Sequence, residues 1–522
     1  MSSYNFTGTP TGTGTGGDSL TTDLTGQFEL ANMVWLGVGA AGVWIMSPGI
    51  GLLYSGLGRR KHALASLWLS LMGVCVVSFQ WFFWGYSLVF SHHSRSHMLG
   101  TFEFFGFRDV LGTPSADTAV PDMLYAVFQG MFACVAGVLM VGGGGERARL
   151  MPMMVFLFIW MTVVYCVCAH WSWNPNGWLA ILGEYDFAGG LIHQTAGHGA
   201  LMYALILGRR DKNLPNAPTK GKLPKYKPHS VASVVLGTVL ITFAWFFFNA
   251  CSAGNASIRA WYALENTNLA AASGGLTWMF IDYWRYDGKW TTCGLCSGIV
   301  SALVGITPGA GFVPVWAAFV IGIITAAGCN FAVDVKYLLK IDDGCDVWAL
   351  HGVGGCIGSV LTGIFAADYV NATAGVYATP IPGGWLNHHW KQVGYQIAGI
   401  CAICGWTCVV TAIILLIMDR IPWLKIRLSP EEELQGTDAT QIGEATFEKE
   451  EEEDYTFVPQ PIRSGLSVIQ SLTQQFKKPS KKEDMIVQPS EPQAIDGVVP
   501  ESESNSNSDD TSNDKNQEKE TV

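Results

Sequence analysis

Asp186-Phe187-Ala188-Gly189-Gly190-Leu191-Ile192-His193 opens one long apolar run, and Asp346-Val347-Trp348-Ala349-Leu350-His351 opens another. Ionisable groups are costly inside runs that lie in lipid, and those retained there face a pathway or a partner. Working outward from these two segments, apolar runs of about 20 residues, the length that spans a bilayer core, recur along the chain. They fall at 31-54, 62-90, 120-143, 150-171, 187-208, 230-251, 258-281, 291-307, 312-332, 347-367 and 391-418. The two Asp-to-His segments open the fifth and the tenth. Two blocks of five spans run in opposite senses across a membrane, the mark of an inverted-topology repeat with its site at the repeat interface near midplane. The expected fold is therefore an all-α polytopic membrane protein of eleven transmembrane helices. Spans 1-5 and 6-10 form the inverted repeat, followed by an eleventh helix. His193 and His351 are expected to meet at the interface, whereas either one alone has a packed core histidine as an equal alternative.

The charges give an independent test, because short cytoplasmic loops are enriched in Lys and Arg. Arg59-Arg60-Lys61, Arg147 with Arg149, the group from Arg209 to Lys227, Arg285 with Lys289, and Lys336 with Lys340 all fall in alternate loops. That pattern requires an odd number of spans, with the N-terminus outside and the C-terminus cytosolic. Composition agrees: 49% of 522 residues are hydrophobic and 14% charged, which favours a membrane protein over a soluble domain. The net charge of -11 belongs to the segment after Lys425, so nucleic acid is not an expected partner. The 13 cysteines mostly sit in apolar runs without zinc-type CxxC spacing, so no disulfide framework, metal site or cofactor is expected.

The first thirty residues lack the basic and apolar regions of a cleaved signal peptide and read as an external segment, 1-30. Asn5-Phe6-Thr7 within it is a glycosylation sequon on Asn5. The composition after Pro430 is that of a solvated cytosolic appendage. Arg463-Ser464 lies in a Pro-containing stretch of it, where phosphate on Ser464 would change the local charge by nearly two units.

Several ordered segments resemble the Amt/Mep/Rh ammonium transporter superfamily, most closely its fungal permeases of the high-affinity type. They are Gly51 to Leu57, Phe128-Gln129-Gly130-Met131-Phe132-Ala133, Glu146-Arg147-Ala148-Arg149, Asp186 to Gly190, Phe248 to Asn255, and Asp346 to Gly355. The resemblance implies an external ammonium-binding vestibule of Phe128, Trp173 and Ser252, organised from behind by Asp186. A helix N-cap is the plainer reading of Asp186, and ordinary packing that of each aromatic. It further implies a gate of two stacked rings, Phe132 and Phe248, and a pore with Trp245, His193, His351 and Asp346. Leu428 to Glu444 resembles the family's ordered cytosolic segment, which implies domains at 31-420 (transmembrane), 421-445 (ordered) and 446-522 (disordered, acidic, regulatory).

The resemblance also implies a multi-pass plasma-membrane homotrimer, with ammonium or methylammonium as substrate and a cytosolic kinase acting on Ser464. A role in nitrogen utilisation and pseudohyphal growth, with ammonium sensing under nitrogen limitation, would follow. This chain departs from the family pattern twice. Gly190 to His193 is three residues where the family has four, so strict counting would put Gln194 in the pore; Gly197, at the expected spacing after His193, retains His193. His198, between Gly197 and Gly199, is assigned to a close helix contact. Cys251 stands where the family has Gly beside the vestibule Ser, and the larger side chain is expected to narrow the mouth or alter affinity.

Bare ammonium entering an apolar pore would lose its hydration, so proton loss at the entrance is favoured over dry passage of the ion. The expected activity is then electrogenic uptake, with ammonia conducted and the proton relayed by the histidine pair. The competing classes are an ammonia or CO2 gas channel, a nitrogen sensor with little flux and, last, an enzyme, for which no nucleophile-base set accompanies the histidines.

Overall fold

The structure is a computed structural model that describes residues 25–112, 116–117, 119–210 and 227–444. Asn5, Ser464 and the segment from 446 onward lie outside the described residues. Among the described residues the chain is helical throughout and has no strand; Ala148 and Arg427 form an isolated antiparallel bridge.

Each of the expected apolar runs carries a helical segment. In chain order they are α1 (Leu30–Leu57), α2 (Arg60–Phe90), α3 (Asp122–Val141), α4 (Leu150–Leu182), α5 (Gly190–Leu207), α6 (Val231–Ala253), α7 (Ile258–Arg285), α8 (Thr292–Gly309), α9 (Val315–Leu339), α10 (Trp348–Phe365) and α11 (Gln392–Met418). Nine of these described helices are long and apolar enough to cross a bilayer; α5 and α7 are long but more polar. Helix α5 carries His193, Gln194 and His198, all turned toward neighbouring helices. In α7, Asn266 is fully buried and its side-chain amide donates to the carbonyls of Ala310 and Val313 at 2.7 and 2.8 Å. The Asn266 bonds tie α7 to the segment between α8 and α9, and the Gln194 side chain ties α5 to Ser359 on α10.

The outer faces are apolar. On α6, Leu236, Val239 and Phe243 are exposed, and on α11 Val409, Ile413, Leu416 and Ile417 are exposed. Exposed apolar rows on helices that also bury an apolar interior fit a lipid solvent, where hydrogen-bonding groups must be satisfied within the helix. Three helices contain a π-helical turn: Trp81–Gly85 in α2, Met161–Tyr165 in α4 and Trp348–Val353 in α10. Single π turns inside α-helices are frequent at functional sites, and the last of these holds His351.

After α11 the chain turns back under the ends of α2, α3 and α5. A short helix, α12 (Pro430–Gln435), starts with Pro and a capping box in which Ser429 and Glu432 satisfy each other's backbone N–H groups. Beyond it, the Asp438 carboxylate accepts from the backbone N–H groups of Leu64 and Ala65 at 3.0 and 2.8 Å. Asp438 thus caps the start of α2 from a distant part of the chain.

Candidate transport pathway

The pathway is built by α3, α4, α5, α6 and α10. Asp186 starts it by fixing α5. Its carboxylate accepts from the backbone N–H groups of Gly189, Gly190 and Leu191 at 2.9, 2.6 and 3.1 Å. These are orphan donors of the first helical turn, so Asp186 acts as a cap. Gly189 has φ 117°, and a Cβ there would fall 2.6 Å from the Ile192 side chain, so the turn into α5 requires glycine. His193 then stands in the first turn of α5.

Helices α5 and α10 touch backbone to backbone. A Cβ added at Gly197 would lie 2.1 Å from the amide nitrogen of Gly352, so nothing larger than glycine fits between them. This contact, with the π turn that carries His351, brings the two imidazoles together: Nδ1 of His351 is 3.3 Å from Nδ1 of His193, with ring centroids 5.3 Å apart. Both rings are buried, at 0% and 3% exposure. Gln194, the alternative occupant on strict counting, turns the other way and donates to Ser359 Oγ at 2.8 Å.

The Nδ1–Nδ1 pairing has a chemical consequence. A neutral imidazole has one N–H and one lone pair, so one ring must donate through Nδ1 and the other must accept there. The accepting ring then carries its proton on Nε2, and the donating ring has a lone pair on Nε2. The pair presents a donor at one end and an acceptor at the other; a proton taken up at the free Nε2, passage of the shared proton between the two Nδ1 atoms, and release of a proton from the far Nε2 carry one proton through and reverse the polarity. His193 Nε2 is buried without a protein hydrogen-bond partner among the described residues.

Aromatic rings continue the column from His193. Trp245 stacks on its imidazole at 5.1 Å and 21°, and is held by a hydrogen bond from its indole N–H to Thr307 Oγ1 at 2.8 Å. Phe248, one turn along α6 from Trp245, stacks on Phe132 at 4.0 Å and 20°, and both rings are buried. Beyond this pair, Phe132 meets Phe128 at 4.8 Å and the edge of Trp173 at 6.2 Å. Ser252 sits in the turn that ends α6; its hydroxyl donates to the Phe248 carbonyl at 2.7 Å, which leaves its oxygen lone pairs available as acceptors.

The model of the Ammonium Transporter Family matches residues 34–447. This chain belongs to that family. Among the ammonium transporters it resembles, Ammonium transporter MEP2 of Saccharomyces cerevisiae is 67% identical over 467 residues, covering 89% of this chain and 92% of that protein. The crystal structure of Saccharomyces cerevisiae Mep2 superposes with a TM-score of 0.79 at 66% identity, covering 88% of this chain and all of that one. Candida albicans Mep2 gives a TM-score of 0.77 at 58% identity, covering 88% of this chain and 99% of that one.

Not every residue singled out in the sequence of this ammonium transporter joins the column. Asp346 has φ 56° and forms an ion pair with Lys336 on α9, away from the imidazoles. The carboxylate that caps α10 is Asp343, which accepts from the Trp348 N–H at 2.9 Å. Asp186 precedes His193 by seven residues, whereas Asp343 precedes His351 by eight and Asp346 by five. Cys251 does not narrow the mouth: it is buried with Sγ 3.5 Å from the Trp35 carbonyl, and it fills the notch left by Gly39 on α1. Thr307 and Ser359 were missed by sequence reading, because a hydroxyl in an apolar run carries no signal of its partner.

Below the column, at the end that carries the returning C-terminal segment, lies a buried ion network. Glu146 pairs with Arg59 and with Arg210, the latter at 3.2 Å, and Arg210 pairs with Asp342 at 2.6 Å. Burial alone would raise the Glu146 carboxyl, but Arg59, His62 and Arg210 outweigh it and hold it well below the usual carboxylate range. Asp342 is likewise held low, because Arg210 and Arg147 outweigh its burial. Arg427 ties the C-terminal segment to this end by donating to the Leu207 and Arg209 carbonyls, each at 2.6 Å.

Proposed function

We propose that this ammonium transporter takes up ammonium electrogenically, by binding the ion outside, removing its proton, and conducting ammonia and the proton separately past the His193–His351 pair. The facing imidazoles, 3.3 Å apart beneath a stacked phenylalanine pair, are the observation that carries this reading. Phe128 and Trp173 attract the cation through their ring faces, and Ser252 accepts one of its protons. Phe132 and Phe248 close the way behind it. Asp186 acts on the vestibule by fixing the start of α5.

Passage of the bare ion is disfavoured by its hydration, which the aromatic column does not replace. Proton transfer to histidine is itself uphill: with ammonium taken as Lys-like, the gap of about 4 pK units corresponds to about 5 kcal/mol. A second imidazole that shares the proton lowers that cost, and Nδ1–Nδ1 pairing supports such sharing. Potassium has no proton to surrender, so the same scheme rejects it.

Eleven spans, with α5 and α7 joining the nine apolar ones, put the N-terminus outside and the C-terminus in the cytosol, in keeping with the alternation of basic loops. Spans 1-5 and 6-10 are read as the inverted repeat. The working form is a homotrimer in the plasma membrane with one pore per chain, acting as a permease and not as an enzyme. The segment 421-445 couples the cytosolic side to the pore, Ser464 is the target of a cytosolic kinase, and Asn5 is glycosylated outside. Ammonium sensing in nitrogen limitation belongs to the same proposal.

The test is solid-supported-membrane electrophysiology on proteoliposomes of the full chain. Ammonium and methylammonium should each give a transient inward current, and potassium at equal concentration none. Ammonia entry without current would refute the relay and leave a gas channel.

A further inference from the structure

We propose that His198, Cys356 and Cys404 form a binding site for a thiophilic divalent cation of the Zn2+ class that joins α5, α10 and α11. One ligand atom from each of the three lies within 4.8 Å of the others. The sulfurs of Cys356 and Cys404 are 3.7 Å apart. Two thiolates on one tetrahedral Zn2+, each about 2.3 Å from the metal, stand about 3.8 Å apart, so the two sulfurs already have the span of a shared metal.

The histidine keeps a nitrogen lone pair for the set. His198 Nδ1 is 2.9 Å from the Gln194 carbonyl one turn back, and a carbonyl only accepts, so Nδ1 carries the proton and Nε2 keeps its lone pair. Metal-ligating histidines are fixed in their tautomer by such a bond from the other ring nitrogen. Cys356 and Cys404 are free thiols, and all three residues are half-buried.

Charge selects the class of ion. Binding releases two thiol protons, one from each cysteine, and a divalent cation with two thiolates and one neutral imidazole has no net charge. A monovalent soft ion would leave one negative charge in a low-dielectric setting, where an uncompensated charge is penalised. Nitrogen and sulfur donors suit Zn2+ and exclude Mg2+ and Ca2+. No sequence pattern marks the set, because its members come from three helices.

His198 follows His193 by five residues on α5, and Cys356 follows His351 by five on α10. A bound cation therefore ties both histidine-bearing helices to α11 and slows transport. This consequence rests on the proposed relay; the binding does not.

The full-length protein, purified in detergent under reducing conditions, is titrated with Cd2+ as the probe for this class and followed by thiolate-to-metal charge-transfer absorbance. The wild type should bind one more Cd2+ per chain than Cys404→Ser, with a correspondingly larger band that Zn2+ competes away. Cys356→Ser must lose the same equivalent, which keeps the test valid if one variant fails to fold. His198→Gln should weaken that equivalent about tenfold or more. Equal stoichiometry and equal absorbance in the wild type and both cysteine variants would overturn the site. In liposomes, Zn2+ should suppress the ammonium current of the wild type and spare Cys404→Ser. If the extra Cd2+ equivalent is present but the wild type carries no current at any metal concentration, the site stands and the relay fails.

Discussion

The contact between Gly197 and Gly352 is the hinge of the histidine geometry, and Gly197→Ala probes it. The added methyl would sit 2.1 Å from the Gly352 nitrogen, 2.4 Å from its Cα and 3.0 Å from the His351 carbonyl carbon. All three are backbone atoms, so no side chain can swing aside, and ordinary contact at about 3.4 Å requires α5 and α10 to part by about 1.3 Å. Overpacking of this kind costs about 1–3 kcal/mol of stability. Transferred to the imidazoles, the displacement would stretch their 3.3 Å separation to as much as about 4.6 Å, beyond hydrogen-bond reach. Misplacement of reacting groups by about 1 Å can cost about 100-fold in rate. The variant should therefore carry at least about tenfold less ammonium current in solid-supported-membrane recordings, with its size-exclusion profile intact. Gly394→Ala on α11, where no atom lies within 4 Å of the new methyl, is the control and should match the wild type. If Gly197→Ala keeps more than half of the wild-type current while folded, the close helix contact does not set the relay geometry.

Two further expectations concern the mouth and the cytosolic end. Trp173→Leu removes one aromatic face from the vestibule; at about 0.5–2 kcal/mol for a cation over an indole, half-saturating methylammonium should rise about 2- to 30-fold with little change in maximal current. An unchanged half-saturation would remove Trp173 from the binding site. Glu146→Gln leaves Arg59 and Arg210 without their shared carboxylate, and breaking such a buried pair costs about 3–5 kcal/mol, read as a lower Tm. Glu146 and Asp342 are held below the usual carboxylate range in the folded protein, so their stabilising effect is fully present above about pH 4 and is lost as pH falls through the depressed folded values. The wild-type Tm should be level from neutral pH down to about 5 and fall in more acid solution, with a lower plateau and a shallower acid fall in Glu146→Gln.

The two histidines were legible because an imidazole in an apolar run is an anomaly with few explanations. The helical segments were legible from run length, including α5 and α7, whose polar residues lowered their apolarity without shortening them. What the sequence did not convey was direction. His193 and Gln194 are adjacent and differ by about 100° around the helix; the spacing to Gly197 favoured His193, and the Gly197–Gly352 contact is what makes it the one that meets His351. The π turn at Trp348–Val353 shifts the register locally, so a count along an ideal helix does not locate His351. Asp343 and Asp346 read alike in sequence, and their roles separate only when Lys336 on α9 claims Asp346. Cys251 looked like an obstruction because Gly39, which receives it, is more than two hundred residues away.

The central claim is that the facing imidazoles relay the proton while ammonia moves beside them. Its most direct test compares wild type, His193→Ala and His351→Ala in the same proteoliposome preparation, recording current and internal pH together after ammonium addition. The account predicts a current in the wild type and its loss in both variants, with any residual ammonia entry showing only as internal alkalinisation. A full, saturable ammonium current in either folded variant would contradict it.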